Sequence, residues 1–228
     1  MISFIIPAWR DSENLSSLLP KLAALPAPLE IIVVAVEGRA LSRPSDSPAV
    51  RYLSVPNPNR GEQMNHGASI ATGDVLVFQH ADTEFTPQHL HAIETTMRDP
   101  SVAGGAFHRK FDERHPALMK FEKVARWRAS RGATLYGDQS IFVRREVFQK
   151  LGGFAPIPLM EDVEFSPRLR RAGKVVLLDP PLRSSARHHE RQGAWKRTIQ
   201  NGAILLLYKV GVPPHRLHRW YYGGVETA

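Results

Sequence analysis

Gly73-Asp74-Val75-Leu76-Val77-Phe78-Gln79-His80-Ala81-Asp82-Thr83 is the stretch on which the fold turns. Asp74–Phe78 is a short run of strand formers that leads directly into polar His80 and Asp82. Thr86-Pro87 then opens a helix ending near Arg98, with Pro87 suited to its first position. A strand that ends in a carboxylate and feeds a helix is one step of an α/β sheet. The preceding residues repeat this step. Gly61–Ala71 reads as a helix stopped by Gly73. Arg51–Val55 and Glu30–Val36 read as strands. Ile2–Ile6 is a buried strand ended by Pro7, followed by Leu15, Leu18, Leu19 and Leu22 at helical spacing, with Asp11 or Ser12 as the N-cap. Such alternation predicts a doubly wound, Rossmann-like α/β fold with a mostly parallel central sheet flanked by helices. Ligands bind such sheets beyond the carboxyl ends of the strands, where Asp82 falls.

From Ser101 the alternation loosens. Ala103–Phe111 and Gln139–Val143 read as strands, Pro116–Arg131 as an amphipathic helix, and Glu146–Leu151 as a short helix closed by Gly152-Gly153. Pro167 interrupts the helical pattern of Glu161–Ala172. The expected solution is a turn over Glu161–Phe165, then a helix capped by Ser166 with Pro167 at its first position. Lys174–Leu178 is a last short strand, and Val210–Ala228 reads as a loosely attached tail. There is no internal repeat or low-complexity tract.

A chain of 228 residues, 43% of them hydrophobic, supports one sizeable core rather than two enzyme domains. It has no cysteine, which excludes disulfides and thiolate metal sites and is compatible with a cytoplasmic protein. Met1–Trp9 reads as a first strand, not a signal peptide. The longest candidate for a membrane span, Ala203–Val212, is too short and contains Lys209. A net charge of +8 favours anionic partners: nucleotide diphosphates, acidic lipid surfaces or nucleic acid. The basic residues are scattered and form no reading motif, so no nucleic-acid partner is expected.

Five clusters could carry chemistry. Asp82 in His80-Ala81-Asp82-Thr83, with an oxygen or imidazole ligand nearby, could hold Mg²⁺ or Mn²⁺ bridging two phosphates; the plainer reading is a cap or turn residue. Glu161-Asp162 could supply a general base; the plainer reading is a pair of dipole-favoured acids at a helix start. Gly137-Asp138-Gln139 is at least a turn. In Asn59-Arg60-Gly61-Glu62-Gln63-Met64-Asn65, Arg60 could reach a phosphate or base, or simply be solvated. In Arg187-His188-His189-Glu190, His188 or His189 could complete a metal shell, or the stretch could be a polar loop. The phosphate loop, the dinucleotide fingerprint after the first strand and the Gly-x-Ser-x-Gly elbow are all absent, which weakens kinase, dehydrogenase and α/β-hydrolase readings.

The ordered set is more specific than its members. It comprises Phe4-Ile5-Ile6-Pro7-Ala8, Glu13-Asn14-Leu15, Arg60-Gly61-x-Gln63-Met64-Asn65-x-Gly67, Gly73-Asp74-Val75-Leu76, His80-Ala81-Asp82-Thr83, Gly137-Asp138-Gln139, Gly152-Gly153-Phe154, Glu161-Asp162-Val163-Glu164 and Arg168-Leu169-Arg170-Arg171-x-Gly173. This series resembles family 2 glycosyltransferases of the GT-A fold over residues 2–222, and within them the radical SAM/selenodomain-associated transferase 2 branch. The resemblance implies transfer of a sugar from a nucleotide-diphosphate donor to an acceptor hydroxyl, inverting and dependent on Mn²⁺ or Mg²⁺. It implies one domain over 1–222, with a nucleotide-binding half (1–100), an acceptor half (101–190), a C-terminal helical segment (191–222) and a tail (223–228). By the same resemblance Asp82 matches the last acid of the metal motif, with His80 and His188 as further ligand candidates. Asp162, beside Glu161, matches the general base. Pro7, Ala8, Asp11, Arg60, Gln63, Asn65 and Ala81 fall on the donor side; Gly137, Asp138 and Gln139 fall on the acceptor side.

The sequence also departs from the family pattern. His80 stands where many relatives carry a first Asp, and Ala35 where the wider family has an acid after the second strand. A nucleotidyltransferase and a nucleotide- or glycan-binding module without activity stay open beside the transferase. The sequence does not give the acceptor, for which a lipid-linked or a small molecule is expected. The C-terminal mixture of Trp195, Lys196, Arg197, Leu205–Leu207, Tyr208, Lys209, Arg216, Arg219 and Trp220–Tyr222 is expected first to pack a Leu face on the core. Its second reading is peripheral contact with the inner face of a membrane.

Overall fold

The structure, a computed structural model, describes residues 1–9, 11–37, 47–110, 134–184 and 194–223. The helix expected at Pro116–Arg131 lies outside these residues, as do His188 and His189.

Strands β1 (Ile2–Pro7), β2 (Leu29–Val36), β3 (Val50–Val55) and β4 (Val75–Phe78) alternate with helices α1 (Ser12–Ala23) and α2 (Arg60–Ile70). Then come the two-residue β5 (Thr83–Glu84), α3 (Pro87–Thr96), β6 (Val102–Lys110), β7 (Ile141–Arg144), α4 (Arg145–Lys150), α5 (Glu161–Ala172), β8 (Lys174–Ser184), α6 (Ala194–Lys209) and α7 (Pro214–Tyr222). The strands form one sheet in the order β3-β2-β1-β4-β7-β6-β8-β5. Four of its seven pairings are parallel, including the whole β3-β2-β1-β4 block. The direction switches where β7 runs antiparallel to β4, pairing Phe78 with Ile141.

Strand alternation divides the core in two. Phe4, Ile6, Val75 and Val77 face one layer with Leu15, Leu18, Leu19 and Leu22 of α1 and Leu90 and Ile93 of α3. Ile5, Leu76 and Phe78 face the other with Met64 and Ala68 of α2, Phe148 of α4, and Phe165 and Leu169 of α5. Both sheet faces are thus covered, as parallel strands require. Helix α2 lies close to the sheet because Gly67 has no side chain: a Cβ there would come within 2.6 Å of Ile5.

Two local expectations are corrected. Glu161–Ala172 is one helix with Pro167 inside it, not a turn followed by a capped helix. Val163, Phe165, Ser166 and Leu169 all bury on one face, and that shared burial outweighs the loss of one backbone hydrogen bond at Pro167. The Ser166 hydroxyl bonds to the Asp162 and Leu135 carbonyls instead of capping. The stretch read as a tail contains helix α7, which starts with Pro214 and buries Leu217.

Candidate active site

The carboxyl ends of β1, β2 and β4 form one side of the site. Ala8 N donates to Val34 O at 2.9 Å, extending the β1–β2 pairing past Pro7. Buried Gln63 of α2 donates from Nε2 to Ala8 O (3.1 Å) and Val34 O (2.7 Å), clamping both strand ends. Asn65 bonds reciprocally with Phe154, Nδ2 to O at 2.8 Å and N to Oδ1 at 2.9 Å. The amide groups of Gln63 and Asn65 thus hold backbone in place. Asp11 precedes α1 without capping it; its Oδ2 accepts from Trp9 N at 2.9 Å.

After β4, Gln79 builds the turn that carries His80, Ala81 and Asp82. It is fully buried, donates from Nε2 to His80 O (3.1 Å) and Thr83 O (2.8 Å), and accepts from the Ser140 hydroxyl at 2.6 Å. Ser140 itself has φ 49°, in the left-handed region. Ala81 is buried in the core. The Asp82 side chain is 35% exposed, bonds to the Thr83 hydroxyl at 3.2 Å, and has Oδ1 3.8 Å from His80 Nδ1.

Arg60, at the first turn of α2, joins this side to the other. Its Nη2 hydrogen-bonds to His80 Nε2. A guanidinium has only donors, so Nε2 is the acceptor and the neutral ring carries its proton on Nδ1, towards Asp82. Burial, then the charges of Arg60 and Arg109, hold His80 well below its ordinary pKa, which agrees with a neutral ring. The Nε of Arg60 lies 3.5 Å from Glu161 Oε1, an ion pair whose two atoms are buried and make no hydrogen bond. Gly137 passes so close to the guanidinium that any side chain there would collide with it.

Asp162 sits at the start of α5, after Met160 with φ 72°. Its Oδ2 accepts from Gly137 N at 2.6 Å and its Oδ1 from Val163 N at 2.7 Å. Burial, then the negative charge of Glu161, pushes Asp162 up to about 6, while Arg60 and the two N–H donors pull the other way. Of the other acceptor-side candidates, Asp138 pairs with Arg109, and Gln139 Oε1 accepts from Tyr136 N at 2.8 Å. Arg60, His80, Asp82, Glu161, Asp162 and Gly137 therefore form one connected group. Gln79, Ser140 and Arg109 were not singled out from the sequence. The signal for Gln79 was a lone amide ending an apolar strand.

Among the described residues no three His, Asp or Glu side chains cluster tightly enough to cage an ion. Asp82 remains as one half-exposed carboxylate. That fits an Mg²⁺- or Mn²⁺-type site, where one or two carboxylates share the ion with water and substrate phosphates. In this arrangement His80 Nε2 is engaged by Arg60, so only its protonated Nδ1 side faces Asp82.

The fold is similar to that of several solved structures. The mannosyltransferase PcManGT from Pyrobaculum calidifontis, in complex with GDP-Man and Mn²⁺, is similar at 16% identity and a TM-score of 0.69 over 99% of this chain and 70% of that one. Glucosyl-3-phosphoglycerate synthase from Mycobacterium tuberculosis, in complex with Mn²⁺, UDP and phosphoglyceric acid, is similar at 18% identity and a TM-score of 0.63 over 93% of this chain and 79% of that one. S. aureus TarS 1-349 is similar at 15% identity and a TM-score of 0.61; 81% of this chain is covered, and it spans 60% of that protein's length. At these identities the likeness is one of fold. No curated protein matches the sequence at a significant level. The family description "Glycosyl transferase family 2" matches residues 3–152, about two thirds of the chain, and the chain therefore belongs to glycosyl transferase family 2.

Proposed function

We propose that the protein transfers a sugar from a nucleoside-diphosphate donor to an acceptor hydroxyl with inversion, with Asp162 as general base and Asp82 on the donor side. The observation that carries this reading is the Asp162 carboxylate. It is fixed by two backbone N–H groups, pushed up to about 6, and linked through Glu161, Arg60 and His80 to Asp82. A base with a pKa near the working pH is matched to accepting a hydroxyl proton.

In the proposed step the acceptor oxygen bonds to the anomeric carbon, and its proton passes to a free lone pair of Asp162. The bond from that carbon to the diphosphate breaks, leaving its electron pair on the leaving oxygen. Arg60 supplies positive charge between the two carboxylate sides, where charge develops on the leaving group. Asp82 would hold a Mn²⁺ or Mg²⁺, which supplies Lewis-acid neutralisation of the diphosphate when bound. Gln63, Asn65 and Gln79 keep the strand ends fixed, so the site needs little reorganisation. The GT-A structures crystallised with GDP-Man, UDP and Mn²⁺ support this reading, as does the resemblance of the motif series to the selenodomain-associated branch. A nucleotide-binding half, an acceptor half and a C-terminal helical segment follow as the proposed division of the chain.

The test is a screen of donor hydrolysis across UDP-, GDP- and dTDP-sugars with and without Mn²⁺. Hydrolysis of at least one donor, stimulated by the metal, is expected. Binding of a nucleotide sugar without hydrolysis or transfer to any acceptor would favour the inactive binding module, a reading that Ala35 in place of the family's acid keeps in view.

A further inference from the structure

The outer face of α6 and α7 differs from the rest of the surface formed by the described residues. Leu206, Val210, Trp220 and Tyr222 are large apolar side chains left 64%, 70%, 66% and 44% exposed. Lys209, Arg216 and Arg219 are exposed beside them, and residues 194–223 contain no Asp or Glu. The spacing makes these contiguous. Leu206 on α6 lies one turn before Val210, the residue that follows the helix, whose N–H donates to Leu206 O at 3.1 Å; Arg216, Arg219 and Trp220 share one side of α7. An open groove between the helices runs from Leu207 to Trp220 and is flanked by both arginines. The inner faces need none of these residues, because Ile204 and Leu217, each 1% exposed, already anchor the pair.

Two helices without acids of their own, whose outer face mixes exposed aliphatic groups, a Trp and arginines, are chemically suited to the headgroup region of an anionic bilayer. A second copy of the chain would bring like charges together on this face, so charge complementarity argues against it. No helix among the described residues is long and apolar enough to cross a membrane, so contact here is at the surface.

We propose that the outer face of α6 and α7, centred on Leu206, Val210, Arg216, Arg219 and Trp220, docks the protein on anionic lipid bilayers. The test is co-sedimentation of the full chain with vesicles of phosphatidylcholine alone and of phosphatidylcholine with phosphatidylglycerol, at low and moderate salt. Sedimentation with the anionic vesicles only, weakening as salt rises, is expected. Arg216→Glu with Arg219→Glu should weaken it by at least tenfold, since each basic residue near such a surface contributes about fivefold. Leu206→Ser with Trp220→Ser should weaken it as well, with circular dichroism unchanged in both variants. A blue shift of tryptophan fluorescence on adding anionic vesicles to the unaltered protein provides a readout that needs no variant. Absence of sedimentation and of the shift overturns the proposal. So does binding that these substitutions leave intact, or a dimer in solution that they dissociate. Failure of the transferase reading would register separately, as loss of donor hydrolysis with vesicle binding retained.

Discussion

On one side of the cleft, at the ends of β1, β2 and β4, the amide side chains of Gln63, Asn65 and Gln79 are neutral and hydrogen-bonded. Gln63 holds two carbonyls, Asn65 trades two hydrogen bonds with Phe154, and Gln79 makes three. On the other side, around the first turn of α5, the groups are charged and incompletely satisfied. Arg60 Nε and Glu161 Oε1 are buried without a hydrogen bond, Met160 is left-handed, and Asp162 is pushed up to about 6. Burying polar groups costs least when each finds a partner, so native proteins leave few orphans. Here the hydrogen-bonded side is the frame, and the unsatisfied atoms lie on the side proposed to carry the chemistry.

The largest effect should come from the charged side. Asp162→Asn keeps the shape of the side chain but removes the proposed base, so transfer should fall by about 10²–10⁴-fold while donor affinity stays within about twofold. Steady-state transfer alongside calorimetric donor binding would read this. A parallel loss of both would mean that Asp162 belongs to the donor frame. Asp82→Ala should next remove the metal-dependent increment of donor affinity, at least about tenfold, and leave metal-free affinity unchanged; calorimetry with and without Mn²⁺ checks it.

The pH profile sharpens the contrast. If Asp162 is the base, as proposed, the reaction needs it ionised, and kcat/KM should fall about tenfold per pH unit below about 6. The stability effect has its own sign. The folded-state value of about 6 lies above the ordinary 3.8, so the folded protein holds this proton more tightly and loses that stabilisation as pH rises through about 6. Asp162→Asn should therefore gain Tm relative to the unaltered protein between about pH 4 and pH 7. A flat difference would place the carboxylate in open solvent. The smallest effect on chemistry belongs to the frame. Asn65→Ala leaves Phe154 N–H and C=O without partners, a cost of about 1–3 kcal/mol, or roughly 2–4 °C of Tm per kcal/mol, with donor hydrolysis persisting in the folded fraction.

Much of the frame was legible because its signals are local. β1, β2 and β4 are short apolar runs and α1 shows its own period and start signal, so Asp82 could be placed at a strand end. The switch to an antiparallel β7 was not legible, since strand direction is settled by long-range pairing such as Phe78 with Ile141. Local rules also misjudged Pro167, where burial of Phe165 and Leu169 keeps the helix intact, and α7, whose basic and aromatic composition hid the buried Leu217. In the site, single residues were legible and their coupling was not. Arg60 and His80 are 20 positions apart on different elements, and only the fold brings them together. The same holds for Gln79 and Ser140, whose contact spans 61 positions.

The most direct measurement is a crystal structure of the protein with an unreactive nucleoside-diphosphate sugar and Mn²⁺. The expected result has the ion on Asp82, the diphosphate beside Arg60, and the Asp162 carboxylate facing the anomeric carbon opposite the leaving oxygen. A donor seated away from Asp82, or an Asp162 on the same side of the sugar as the diphosphate, would contradict the account.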